Sequence, residues 1–393
     1  MRSRQHSHMA RKTVVTLLLL IFGVAQLWAT PKDSIPQHLS ADIRPAYNII
    51  SHYALRGTYT NGDALESALS ANLQYSFSLP KRNPLSEIYP TAYQGIGVGV
   101  YTFYHDNFIG TPIAIYILQG ARIADFTERL SLGYEWNLGA SWGWRPNEAM
   151  NSRYNVMITL SLPLSWRIGQ GWELYIAPYF NHFSNADTHF PNSGSNLFGL
   201  RIGATYHFNE DKTRVDAGRY ISPSEKYTNK TFAQHLTYDI ILYGGWRADR
   251  FIQDGHIYLT DKALALGGMH FQPHYHLNDH FAIGASLDIQ VDSSLNLYAI
   301  TTDDSKSLSI CRPTLWEQTE IGLSLRGEIK APIFTIGASV GLNINKQGYD
   351  MSRLYTQFSL KAFLTQRLFL YVGYRFNSHQ YTHNMMYGLG IRL

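Results

Sequence analysis

Trp172-Glu173-Leu174-Tyr175-Ile176-Ala177-Pro178-Tyr179-Phe180-Asn181-His182-Phe183-Ser184 reads with a period of two. Trp172, Leu174, Ile176, Pro178 and Phe180 share one parity, and Glu173, Tyr175, Ala177, Tyr179 and Asn181 form a more polar one. In a strand, residues two apart point to the same face, so this stretch predicts a β-strand with an apolar side and a wetter side. His182 and Ser184 continue the apolar parity, which sets a base and a hydroxyl side by side.

The same alternation recurs along the chain. It runs through Leu69, Ala71, Leu73, Tyr75, Phe77 and Leu79, then Leu130, Leu132, Tyr134, Trp136 and Leu138. Ile158, Leu160, Leu162, Leu164, Trp166 and Ile168 repeat it, as do Phe281, Ile283, Ala285, Leu287, Ile289 and Val291. Ile336, Ala338, Val340, Leu342 and Ile344 follow, and the chain closes on Met385, Tyr387, Leu389, Ile391 and Leu393. A soluble sandwich also alternates. The strands here run to roughly ten residues, enough to cross a bilayer at a tilt, and aromatics gather near their ends as interfacial girdles do.

Composition agrees with an all-β transmembrane antiparallel barrel of the bacterial outer membrane. The chain holds 27 Tyr, 19 Phe, 8 Trp and 31 Gly, with 16% charged residues. Its mean hydropathy of −0.20 is what two opposed strand faces give on averaging. A net charge of +4, with no basic tract, excludes nucleic acid as the expected partner. The single cysteine, Cys311, has no internal partner for a disulfide and reads as an ordinary loop residue.

Arg2, Arg4, Arg11 and Lys12 precede an apolar run from Val14 to Val24, and Ala29 offers a small residue for cleavage. Residues 1–29 therefore read as an export signal. Residues 30–208 and 209–393 each carry about eight candidate strands, separated by a polar stretch around 209–232. The expectation is one barrel of roughly 12–16 strands, which the second half completes.

The reactive pair lies where the long polar segment 185–195 begins. On the returning strand Asn196 is in phase with Phe198, Leu200, Ile202, Ala204, Tyr206 and Phe208, and so faces the same way as His182 and Ser184. Polar groups on a lipid-facing side are costly unless they have a task or sit near the headgroups. Long barrel loops are extracellular, so the three residues are expected at the outer-leaflet boundary. Ser184 is the candidate nucleophile, His182 its base, and Asn196 the acceptor that fixes the imidazole tautomer. Asn185 and Asn192 are candidate oxyanion donors, and Asp187 could bind a cation or assist His182. The substrate should be a lipid that presents an ester at that depth.

His182-x-Ser184-Asn185-Ala186, five residues, then Asn192-x-Gly194 resembles the PagL family of outer-membrane lipid A 3-O-deacylases. The resemblance implies a hydrolase of the outer leaflet, with lipid A or lipopolysaccharide as its partner and His182 and Ser184 as catalytic residues. The family places a Glu two residues after the motif glycine, where this chain has Asn196. The same residues also resemble outer-membrane phospholipase A, which has Asn-His-x-Ser-Asn-Gly and uses calcium. Here Ala186 stands in place of that Gly, and the deacylase fits better. A phospholipase A is the alternative enzyme, and a non-catalytic porin or structural barrel is the alternative from another class. A packed lumen favours an enzyme scaffold and a wide wet one favours transport. The resemblance covers at most the first half of the mature chain.

No cofactor or metal is expected. His270, His274 and His276 share a strand face with His280 nearby, but they fall on the water-facing side, where histidines are ordinary lumen residues. Asn229-Lys230-Thr231 matches a glycosylation sequon that a bacterial barrel gives no reason to use.

Overall fold

The computed structural model describes residues 35–49, 66–80, 83, 85–104, 108–147, 149–169, 171–208, 231–260, 262–301, 308–345, 348, 351–377 and 383–393. The expected export signal and the sequon residues Asn229 and Lys230 lie outside the described residues. The described residues are almost entirely β, with one short α-helix, α1 (Leu85–Ile88), and one 3-10 turn at Phe232–His235.

The first wall consists of β1 (Gln37–Ile49), β2 (Ser67–Ser78), β3 (Tyr93–Thr102), β4 (Gly110–Asp125), β5 (Leu130–Trp144), β6 (Tyr154–Ser161), β7 (Leu164–Arg167), β8 (Trp172–Ser184) and β9 (Ser195–Phe208). Each strand pairs antiparallel with the next, and β9 returns to β1, with Ile43 opposite Ile202. β6 and β7 lie end to end between β5 and β8 and make one position in the ring. The break falls at Leu162-Pro163, where proline has no N–H to give the ladder. The Leu162 N–H donates to Pro178 O at 3.2 Å and the Gly133 N–H to Pro163 O at 2.8 Å, carrying the wall across the gap.

A second wall follows. It contains β10 (Leu236–Arg247), β13 (Leu264–His276), β14 (Phe281–Asp292), β17 (Thr319–Lys330), β18 (Phe334–Asn343), β19 (Leu354–Phe363), β20 (Leu368–Asn377) and β21 (Asn384–Arg392), closed by β21 on β10. Two hairpins, β11 (Arg250–Gln253) with β12 (His256–Leu259) and β15 (Tyr298–Thr301) with β16 (Leu308–Cys311), sit in its loops. Cys311, at the end of β16, carries a free thiol.

The wall positions, eight from each half of the chain, match the expected strand number, but the single barrel is not formed. The strands form two rings of eight positions, and no ladder joins them among the described residues. Once β9 has found β1, the first ring has no free edge for β10 to extend. Alternation along each strand is the same in either arrangement, so the sequence carried no signal that separates them.

Both rings put apolar side chains outward. Leu160, Trp166, Leu174, Ile176, Phe198 and Ile202 are exposed on the first, and Leu242, Ile283, Leu325, Val340 and Leu389 on the second. The interiors are filled. In the first, Arg201 donates to Asp42 at 3.0 Å and to Glu135 at 2.8 Å, and Arg44 pairs with Asp42 at 2.6 Å. Above this layer, Tyr101, Phe103, Trp144, Met157, Phe183 and Leu197 form an apolar plug. In the second, Lys361 Nζ lies between Asp239 and Glu328, and Arg375 bonds Asn343 Oδ1 at 2.9 Å. His270, His274 and His276 are buried there. Asp239, His274 and Glu328 are close enough to hold a metal ion, but the Lys361 ammonium already lies 2.6 Å from Asp239 and supplies the cation that these carboxylates need. Among the described residues the inward side chains of both barrels are almost fully buried.

The two barrels touch at both ends. At the short-turn end, Trp136, outward-facing on β5 yet only 7% exposed, meets Phe334 with ring centres 5.1 Å apart. At the same end the Tyr89 hydroxyl donates to Asp279 O, in the β13–β14 turn, at 2.8 Å. At the long-loop end, the Ala248 N–H donates to Asp187 O at 2.8 Å.

Candidate active site

β8 rises towards the long-loop end and delivers His182 and Ser184 on its outer face, both half-buried, while Phe183 between them is fully buried in the lumen. The inward side is fixed by packing. The Phe183 ring lies 5.0 Å from Tyr101 and 4.9 Å from Trp144, and two residues earlier the Thr159 hydroxyl donates to Asn181 Oδ1. A filled lumen behind the strand holds its outer side chains in place.

After Ser184 the chain turns sharply. Ala186 and Asp187 both have left-handed backbone, at φ 55° and 59°. The loop is then laced to the β5–β6 connection: the Asn151 N–H donates to Pro191 O at 2.9 Å and the Ser193 N–H to Ala149 O at 2.8 Å. Gly194, at φ 66°, brings the chain back against the imidazole, where a Cβ would stand 3.0 Å from His182 Cε1 and 2.9 Å from Phe183 O. Only glycine fits that approach and that backbone without strain.

β9 then places Asn196 directly opposite His182 in the ladder. His182 Nδ1 and Asn196 Oδ1 are 2.7 Å apart. An amide oxygen only accepts, so Nδ1 carries the proton and Nε2 has the free lone pair. Ser184 Oγ accepts from the Ala186 N–H at 3.0 Å and from Asn192 Nδ2 at 2.9 Å, which leaves its own proton free to be given away. No hydrogen bond joins Ser184 to His182 in this unliganded geometry. Residues two apart on one strand face have Cα atoms about 6.6 Å apart, a separation that a histidine and a serine can close.

The predicted residues divide. His182, Ser184, Asn196 and Asn192 come together on the outer wall. Asn185 does not: its Nδ2 donates to His189 O at 2.8 Å, and its backbone N–H donates to Asn192 Oδ1 at 3.2 Å, so it shapes the loop and steers Asn192. Asp187 is engaged rather than free, since Asn192 Nδ2 also donates to its Oδ1 at 2.9 Å. Sequence reading missed the Ala149–Asn151 lacing and the Ala248 contact, because backbone partners leave no residue-type signal.

Comparison with known proteins divides the chain as the strand pairing does. Residues 40–205 match the family described as lipid A 3-O-deacylase (PagL), and residues 236–393 match the one described as acyloxyacyl hydrolase, C-terminal domain. Among solved structures the chain is similar to CdiB from Acinetobacter baumannii, at 12% identity and a TM-score of 0.17 over 91% of this chain and 60% of that one. It is also similar to the Acinetobacter baumannii outer membrane protein Omp33, at 6% identity and a TM-score of 0.17 over 93% of this chain and 99% of that one. The COG4313 outer membrane channel from Pseudomonas putida F1 is similar at 12% identity and a TM-score of 0.19, over 93% and 98%. The chain thus spans 60% of the length of CdiB. No curated protein matches the chain.

Proposed function

Since the chain belongs to the PagL family of outer-membrane lipid A deacylases, we propose that it removes an ester-linked acyl chain from lipid A in the outer leaflet, of the 3-O type, with Ser184 as nucleophile. The observation that carries this reading is the outward-facing His182–Asn196 pair beside a serine whose hydroxyl already accepts two hydrogen bonds.

Ser184 Oγ attacks the acyl carbonyl carbon while His182 Nε2 takes its proton. The carbonyl oxygen becomes an oxyanion two bonds from Oγ, on the carbon that Oγ has attacked, within a small shift of the two donors that now converge on Oγ, the Ala186 N–H and Asn192 Nδ2. Collapse breaks the ester bond, and His182 returns the proton to the departing sugar oxygen. Water, deprotonated by His182, then cleaves the acyl-serine and releases a fatty acid. Asn196 holds the imidazole throughout. As a neutral amide it orients the ring but stabilises the imidazolium less than a carboxylate does.

The filled lumen of the first barrel supports an enzyme scaffold over a porin. The test is mass spectrometry of lipid A from cells that make the wild type, Ser184→Ala or His182→Ala. Loss of an acyl chain with the wild type alone supports the reading; unchanged lipid A in all three sinks it. Phospholipid turnover that stops on calcium chelation, with lipid A untouched, would move the reading to a phospholipase A.

A further inference from the structure

The deacylase motif lies wholly in the first barrel, and nothing so far gives the second barrel a part in the reaction. The contacts at the long-loop end supply one. Asp187 lies within the catalytic loop, three residues after Ser184, and faces two ways. Its carboxylate is bonded to Asn192 Nδ2, which also touches Ser184 Oγ. Its backbone oxygen accepts the Ala248 N–H from the second barrel at 2.8 Å. Ala248 follows β10 and is 2% exposed.

The second barrel's nearby outer wall is aromatic. Tyr374 and Phe376 project outward from β20, flanked by inward-facing, buried Gly373, Arg375 and Asn377. Their rings are 4.5 Å apart, Phe376 lies 5.5 Å from His383 at the start of β21, and Phe358 of β19 packs against Phe376 at 5.8 Å. The Asp187 carboxylate is an electrostatic neighbour of both Tyr374 and His383. His383 Nδ1 accepts the Asn377 N–H at 3.3 Å, so that nitrogen carries no proton and the ring is neutral in this arrangement. Tyr374, Phe376, Phe358 and the neutral His383 present aromatic surface and no cation, which suits hydrocarbon, whereas a wall that recognised lipid phosphates would need cations.

We infer that the second barrel is the far wall of the active site: it holds the catalytic loop at Asp187 and lays Tyr374, Phe376 and His383 against the acyl chains of the lipid bound at Ser184. Asp187 is then a positioning residue, acting on Ser184 through Asn192. This rests on the deacylase reading above, and it explains why a barrel large enough for the chemistry is joined to a second one with a plugged lumen.

The test uses the full chain carrying Ser184→Ala, reconstituted with a lipid A analogue that bears a photoactivatable diazirine near the end of its ester-linked acyl chain. Labelled peptides are mapped after irradiation. Label on 172–208 and on 368–393 is expected. Label confined to the first barrel overturns this inference and leaves the deacylase reading standing, whereas label on neither overturns both. A second measurement needs no analogue. In the otherwise wild-type chain, Tyr374→Ala with Phe376→Ala is expected to raise KM for lipid A about tenfold and to lower kcat less than threefold. A purely structural role would lower kcat through the folded fraction and leave KM alone, and that result overturns the inference.

Discussion

His182 and Asn196 face each other across the β8–β9 ladder on the outer wall of the first barrel, joined Nδ1 to Oδ1 at 2.7 Å. The pairing is direct and cross-strand, so one register fixes the imidazole, its tautomer and the direction of its free nitrogen. A slip of one residue in either strand would turn its own member of the pair into the lumen and part the two.

That pairing predicts a graded response at position 196. Asn196→Ala should lower kcat about 10- to 100-fold, with KM little changed, because the ring loses its orienting acceptor. Asn196→Glu should keep the hydrogen bond and add a charge that favours the protonated ring. The acid limb of the pH–rate profile then moves to higher pH, and kcat on its plateau should equal or exceed the wild type. Steady-state kinetics on lipid A across pH 5–9 decide it; two variants at full rate with unshifted profiles would remove Asn196 from the mechanism.

Asn192 donates to both Ser184 Oγ and Asp187 Oδ1. Asn192→Ala should cost about 10²–10³ in kcat if its Nδ2 stabilises the oxyanion. Asn192→Asp sets a second carboxylate against Asp187 and should cost at least as much. An Asn192→Ala enzyme within threefold of wild type would show that the backbone N–H of Ala186 suffices.

Gly194 leans on the imidazole. Gly194→Ala forces a left-handed alanine, at about 1–2 kcal/mol, and sets its Cβ 3.0 Å from His182 Cε1. Activity should fall more than tenfold, while the folded barrel, followed by its heat-dependent gel shift, stays intact. Wild-type activity would mean that the loop relaxes freely, against the lacing from Ala149 and Asn151.

Lys361 is fully buried between Asp239, Glu328 and Gln272. Lys361→Met removes the ammonium that both carboxylates share and leaves them only Arg392, which bonds Asp239 at 2.7 Å and lies 3.7 Å from Glu328, and should destabilise the second barrel by about 3 kcal/mol. Urea unfolding in lipid vesicles measures it. The triple change Lys361→Met, Asp239→Asn, Glu328→Gln should recover part of the loss, since the penalty comes from unpaired charge rather than lost volume.

Much of this was legible in the residues. Period-two alternation in β8 and β9 placed His182, Ser184 and Asn196 on one outward face, because a strand's parity is a local property. The motif spacing carried the family. Asn185 was misplaced because its role depends on a rotamer: its amide turned to His189 O, and no pattern of residue types states that.

The sequence by itself determined the strands, their two faces, the outer-membrane barrel class and the shared outward face of His182, Ser184 and Asn196, all of which follow from local periodicity and spacing. Only the tertiary structure decided that the wall closes twice, since closure depends on which strand edge finds which. Only it carried the second barrel to the catalytic loop through the Ala248 N–H and Asp187 O, a contact between backbone atoms that every residue but proline can make and that side-chain identity therefore cannot announce.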